Sequence, residues 1–146
     1  MPRSVFPCGH AGKIMIGIIV VTHGKFGEEM ISSAESIAGR AENIRNIHLP
    51  SEESPEVLKK RFEAVISEMD KGDGVLVLTD MLGGTPCNIC LPYTRTHRIE
   101  VVSGINLYML LTAMIHREKM CLDELTNKVV EAGQKNIVNL RRIVCH

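Results

Sequence analysis

The sequence predicts an α/β fold, a doubly wound and mostly parallel sheet with helices on both faces. Three observations carry that expectation. Short apolar runs alternate along the chain with longer stretches of helical period, the order that builds a parallel sheet through right-handed crossovers. Two of the runs, Ile16–Val21 and Val75–Leu78, are almost wholly apolar, as strands covered on both faces must be. Cap residues stand where the periodic segments begin, so local and global signals agree.

Taken in order, residues 1–14 hold two prolines and two glycines without periodicity and read as a leader or N-terminal extension, leaving 15–146 as one domain. Arg3 and Lys13 precede an apolar run, an arrangement that resembles a signal peptide. Thr22-His23-Gly24 follows instead of a small-residue cleavage site. The run is also far shorter than the roughly 20 residues a membrane-spanning helix needs. It is better explained as a buried strand. Strands are expected at 15–22, 44–49, 74–79 and 98–103. Phe26, Met30, Ala34 and Ile37 should line one helix face, and Leu58, Phe62, Val65 and Met69 another. Ser54-Pro55 supplies an N-cap and a first-turn proline, and Asn106 caps a helix from Leu107 to Arg117. A last helix carries Leu122, Leu125, Val129 and Ala132 on one side and should stop at Gly133, a residue suited to the position after a helix. Ile137 to Val144 then reads as a fifth strand.

Composition narrows the function. With 17 basic and 17 acidic residues among 146, no net field draws the chain to nucleic acid or an anionic membrane. Its five cysteines, Cys8, Cys87, Cys90, Cys121 and Cys145, lack the even framework of a small secreted protein. Reduced thiols and a cytoplasmic location are expected.

In doubly wound sheets the ligand sits beyond the carboxyl ends of the strands, where the winding reverses. If the strand order is 2-1-3-4, strands one and three flank that point. Strand one ends in Thr22-His23-Gly24, and strand three in Asp80-Met81-Leu82-Gly83-Gly84-Thr85-Pro86. His23 and Asp80 would then face each other. An imidazole that donates one ring proton to a carboxylate is held as a single tautomer with a nucleophilic lone pair on its other nitrogen. Phosphoryl transfer asks mainly for alignment and for donors around the equatorial oxygens. Gly83-Gly84-Thr85, leading to a helix start at Pro86, reads as a small phosphate cradle. The loop lacks a P-loop lysine, and no Gly-x-Gly-x-x-Gly follows the first strand. No nucleotide cofactor and no metal are expected.

Gly17-Ile18-Ile19-Val20-Val21-Thr22-His23-Gly24 and Asp80-Met81-Leu82-Gly83-Gly84-Thr85-Pro86-Cys87-Asn88 resemble the two signature segments of the mannose-type enzyme IIA family of the bacterial sugar phosphotransferase system. Gly104-Ile105-Asn106-Leu107 resembles the family's segment after the fourth strand, and the similarity runs from about Met15 to about Leu140. The resemblance implies that His23 and Asp80 are catalytic, that Gly24, Gly83, Gly84 and Thr85 bind the phosphoryl group, and that His23 takes phosphate from a phosphohistidine on the carrier HPr. It implies delivery to an enzyme IIB component, contact with a membrane only through the permease complex, and a homodimer whose last strand adds antiparallel to the partner's sheet. Two features depart from the pattern: Cys87 and Cys90 follow the glycine loop, and Pro92 should shorten or kink the helix there.

Other readings compete. The phosphocarrier of the dihydroxyacetone kinase system shares the histidine strand but differs in the second segment, and a purely regulatory phosphocarrier would use the same site. Cys87-Asn88-Ile89-Cys90 suggests a thiol redox module, against two small residues packed one turn apart. His10, His48, His97, His116 and His146 read as structural. Thr85 serves equally well as a helix cap or a phosphoryl contact, Thr22 as a strand-end hydrogen bonder and Asn106 as a simple cap.

Overall fold

Four strands, β1 (Gly17–His23), β2 (Ile44–Leu49), β3 (Val75–Thr79) and β4 (Ile99–Ser103), pair in parallel in the order β2-β1-β3-β4. The computed structural model describes residues 12–49 and 52–145. The expected order is the observed one. Because side chains alternate along a strand, Ile18, Val20, Leu76 and Leu78 face one core and Ile19, Val21, Val75 and Val77 the other. Helices α1 (Phe26–Ala38), α4 (Leu107–His116) and α5 (Leu122–Lys135) cover the first face, and α2 (Pro55–Met69) and α3 (Thr85–Cys90) the second. Of the expected leader, residues 1–11 lie outside the described residues, while Ile14 already packs on the first core.

The two N-cap expectations hold in atomic detail. Ser54 accepts from the Val57 N–H with Pro55 at the start of α2, and Asn106 accepts from the Met109 N–H at 3.1 Å. Pro92 ends the α-helical run as expected, since α3 stops at Cys90 and a 3-10 turn, Leu91–Arg95, follows.

Three elements depart from expectation. Helix α1 buries Gly27 and Ala34, with Met30 and Ile31 against the core, whereas Phe26 and Ile37 are exposed. A Cβ on Gly27 would come within 2.5 Å of Asn46 Oδ1 and 2.9 Å of Val20 Cγ1, so the helix turns its smallest residue to the sheet to sit close to it. Gly133 does not end α5, which continues to Lys135. A Cβ there would meet the Met109 side chain at 2.5 Å, so this glycine serves the crossing of α4 and α5. Among the described residues no fifth strand forms: Leu140–Val144 is a short helix, α6, whose N-cap Asn139 accepts from the Arg141 N–H at 3.1 Å. A strand needs a neighbour for its backbone groups, and a helix satisfies them locally.

Cys87, Cys90 and Cys145 are free thiols, whereas Cys121 is disulfide-bonded, contrary to the expectation of reduced thiols throughout. Among the described residues no helix is long and apolar enough to cross a membrane.

Candidate functional site

The carboxyl ends of β1 and β3 meet at the switch point. His23, the last residue of β1, presents Nδ1 to Asp80 Oδ2 at 2.7 Å, and the His23 backbone N–H donates to the same oxygen at 2.9 Å. Asp80 Oδ1 accepts from the Met81 N–H at 2.9 Å. Burial would push the Asp80 carboxyl up, but the His23 N–H, the His23 ring and the Met81 N–H more than offset it and hold it below its ordinary value. The group is therefore ionised near neutrality and can only accept. The Nδ1 atom of His23 must then carry the ring proton, leaving a lone pair on Nε2. The His23 side chain is 53% exposed against 13% for Asp80, so a second molecule can reach the ring while the carboxylate is shielded.

The turn after His23 is set from two sides. Gly24 takes the left-handed region at φ +54°, which favours glycine. Thr22, fully buried, accepts from the Gly27 N–H at 2.7 Å and ties the end of β1 to the first turn of α1. Its role is that of a strand-end hydrogen bonder.

The glycine loop lies against the imidazole. Gly83 turns the chain at φ +77°, and a Cβ on Gly84 would stand 3.3 Å from His23 Cε1. Gly84, with no side chain to offer, is the N-cap of α3. Thr85 is the first helical residue and not the cap, and it lines a cavity of about 990 Å³ together with His23 and Gly24. All six residues singled out in the sequence thus converge on one strand-end surface.

His48, which the sequence reads as structural, also borders the site. It lies on β2 opposite Thr22, lines the same cavity, and its Nδ1 is 2.9 Å from the Gly24 carbonyl oxygen. Glu52, Glu53 and Lys59 line the cavity as well. A lone histidine in an alternating strand gives no signal by itself; the parallel register of β2 on β1 would have placed it beside His23.

The thiol reading loses ground. Cys87 and Cys90 are buried, and burial together with the neighbouring Cys87 pushes the Cys90 thiol well up, whereas a reactive thiol needs a lowered pKa and access. Among the described residues no cluster of three or more histidines, cysteines or carboxylates is placed to hold a metal ion.

Fold and site together define a class: a doubly wound α/β domain with a histidine–carboxylate dyad and a glycine turn at the switch point. Comparison with known proteins makes it particular. The family model described as PTS system fructose IIA component matches residues 17–130, and the chain belongs to this family, the mannose, fructose and sorbose group of phosphotransferase-system IIA components. It is 33% identical over 129 residues to the mannose-specific EIIAB component of Escherichia coli, across 86% of this chain and 40% of that protein. The chain therefore spans about two fifths of the length of that relative. It is also 27% identical to the fructose-specific EIIA component of Bacillus subtilis, over 84% of each chain. The crystal structure of the phosphotransferase system component EIIA from Streptococcus agalactiae superimposes with a TM-score of 0.81 at 33% identity, covering 88% of this chain and 99% of that one. The mannose/sorbose-specific IIA subunit from Enterococcus faecalis gives 0.76 at 28% identity, covering 85% and 93%.

Proposed function

We propose that this protein is a phosphohistidine carrier that accepts a phosphoryl group from phosphorylated HPr on His23 Nε2 and passes it to an enzyme IIB component. The observation that carries the reading is the 2.7 Å contact between His23 Nδ1 and Asp80 Oδ2, which leaves Nε2 as the nucleophile on an exposed ring. In the transfer, the bond from His23 Nε2 to phosphorus forms as the phosphorus–nitrogen bond of the donor breaks, and the donor imidazole regains its lone pair. The Nδ1 proton stays between the ring and Asp80, whose charge stabilises the cation formed on His23. Gly24, the N–H groups of Gly83 and Gly84, and Thr85 would surround the equatorial oxygens of a loose transition state. No cofactor enters this scheme. The cavity exceeds what a phosphoryl group alone would fill, leaving room for the donor or acceptor side chain.

The carrier would work in the cytoplasm, meeting a membrane only through the permease it supplies. We also place it in a homodimer. Ile137, Leu140 and Val144 are each at least 70% exposed, so the C-terminal segment offers apolar side chains to a second copy of the chain. Sedimentation equilibrium should then return twice the chain mass at micromolar concentration, and a single monomeric species would remove the dimer.

The deciding experiment is intact-mass analysis after incubation with phosphoenolpyruvate, enzyme I and HPr. One acid-labile phosphoryl adduct should form on the wild-type chain and none on His23→Ala. Asp80→Asn should still fold and accept the group more slowly, by about a hundredfold on the scale of acid–base and tautomer losses; an unchanged rate would take Asp80 out of the mechanism.

A further inference from the structure

We infer that His48 is a positioning residue for phosphoryl transfer, which holds the Gly24 turn through its ring and so aims His23. The inference rests on the reading of His23 as the acceptor. A carbonyl oxygen can only accept, so the 2.9 Å contact between His48 Nδ1 and Gly24 O requires the proton on Nδ1. The second histidine of the site is thereby held in a defined tautomer by the residue that directly follows the first.

Packing does not hold this turn. Gly24 stands at φ +54°, and the space where its Cβ would lie holds nothing within 4 Å. Its position is fixed instead by hydrogen bonds on two flanks. Thr22 Oγ1 takes the Gly27 N–H on the α1 side, and His48 donates to the Gly24 carbonyl on the β2 side. The first of these is buried; the second is exposed and borders the cavity.

His48 is itself braced. The Arg61 guanidinium, from α2, donates to the His48 carbonyl and pairs with Glu53 at 3.0 Å. The parallel register sets Thr22 opposite His48 and His23 opposite Leu49. A chain of contacts therefore runs from α2 through the end of β2 to the turn that carries His23. An enzyme that works mainly by alignment is sensitive to such supports, because small misplacements of a reacting group cost large factors in rate.

Isosteric replacement tests this against a merely structural role. The side-chain amide nitrogen of Asn falls near the position of a histidine Nδ1, and that of Gln near Nε2. Initial rates of phosphoryl acceptance from phosphorylated HPr would be measured on wild type, His48→Ala, His48→Asn, His48→Gln and His23→Ala, with a urea midpoint for each. Expected is a fall in kcat of about tenfold for His48→Ala, within the range that misplacement produces, with KM for the donor nearly unchanged. His48→Asn should recover most of that loss and His48→Gln should not. Equal rates for His48→Ala and wild type, rescue by Gln but not Asn, or a raised KM at constant kcat would each overturn the role. Should His48→Ala unfold, the Asn and Gln pair still decides. If wild type accepts no phosphoryl group, or His23→Ala accepts one, the acceptor reading itself falls; if those controls behave and only the His48 series is flat, this inference alone falls.

Discussion

Two adjacent glycines in the loop that meets the imidazole through Gly84 answer to different constraints, and substitution separates them. Gly83 sits at φ +77° with free space around it, so Gly83→Ala should cost stability, about 1 kcal/mol for a left-handed alanine, read as a lower urea midpoint. Gly84 has an ordinary φ of −77°, but its new methyl would stand 3.3 Å from His23 Cε1 and from Met81 Cγ. Gly84→Ala should leave the midpoint within about 0.5 kcal/mol of wild type and slow phosphoryl acceptance; the reverse pattern would mean that the loop does not shape the site. His23 and Asp80 were legible in the sequence because each stands at the end of an unmistakable buried strand, so the fold rule brings them together once the strand order is taken as 2-1-3-4. His48 was not, because its strand is half exposed and its meaning comes from a neighbour in space, the Gly24 carbonyl.

At the scale of elements, one short side chain hydrogen-bonds to both α4 and α5. Asn106 accepts from the Met109 N–H and donates through Nδ2 to the Gly133 carbonyl at 3.2 Å, so it caps one helix and holds the other. Asn106→Ala should therefore lose more than an ordinary cap, about 1–2 kcal/mol, measured by urea unfolding; Asn106→Ser, which can cap but not reach across, should fall between. The misreading of Gly133 as a helix stop has the same origin. A glycine after an apolar face looks like a terminus in one dimension, and only the Met109 side chain pressed against it reveals a crossing point. Phe26 and Ile37 mislead similarly: their spacing suits a helix face, but the close approach at Gly27 rotates α1 and leaves both outside. The C-terminal segment has strand-like composition but, among the described residues, no strand pairs with it. Its local backbone preference decides, and α6 results.

For the molecule as a whole, the depressed Asp80 carboxyl links stability to acidity. A carboxyl lowered on folding contributes stability that is present above its unfolded value, ordinarily 3.8, and lost as pH falls below that toward the folded value. Unfolding free energy should therefore fall with acidification below about pH 3.8, and Asp80→Asn should flatten that limb; parallel curves for the two proteins would show that the dyad makes no contribution. The whole-molecule architecture was the most legible level, because two wholly apolar runs and the alternation of periods leave few topologies open. That topology also governs how the protein comes into being. The two halves of the dyad are 57 positions apart in the chain, and the strand bearing the first cannot acquire its central neighbour until the polypeptide has emerged through β3. Contacts of such separation form late and carry a loop-closure cost. A chain arrested before that pairing would have a histidine without Asp80 and without the Gly83–Gly84 turn beside it, so competence to receive the group should appear during refolding in step with the sheet, never ahead of it.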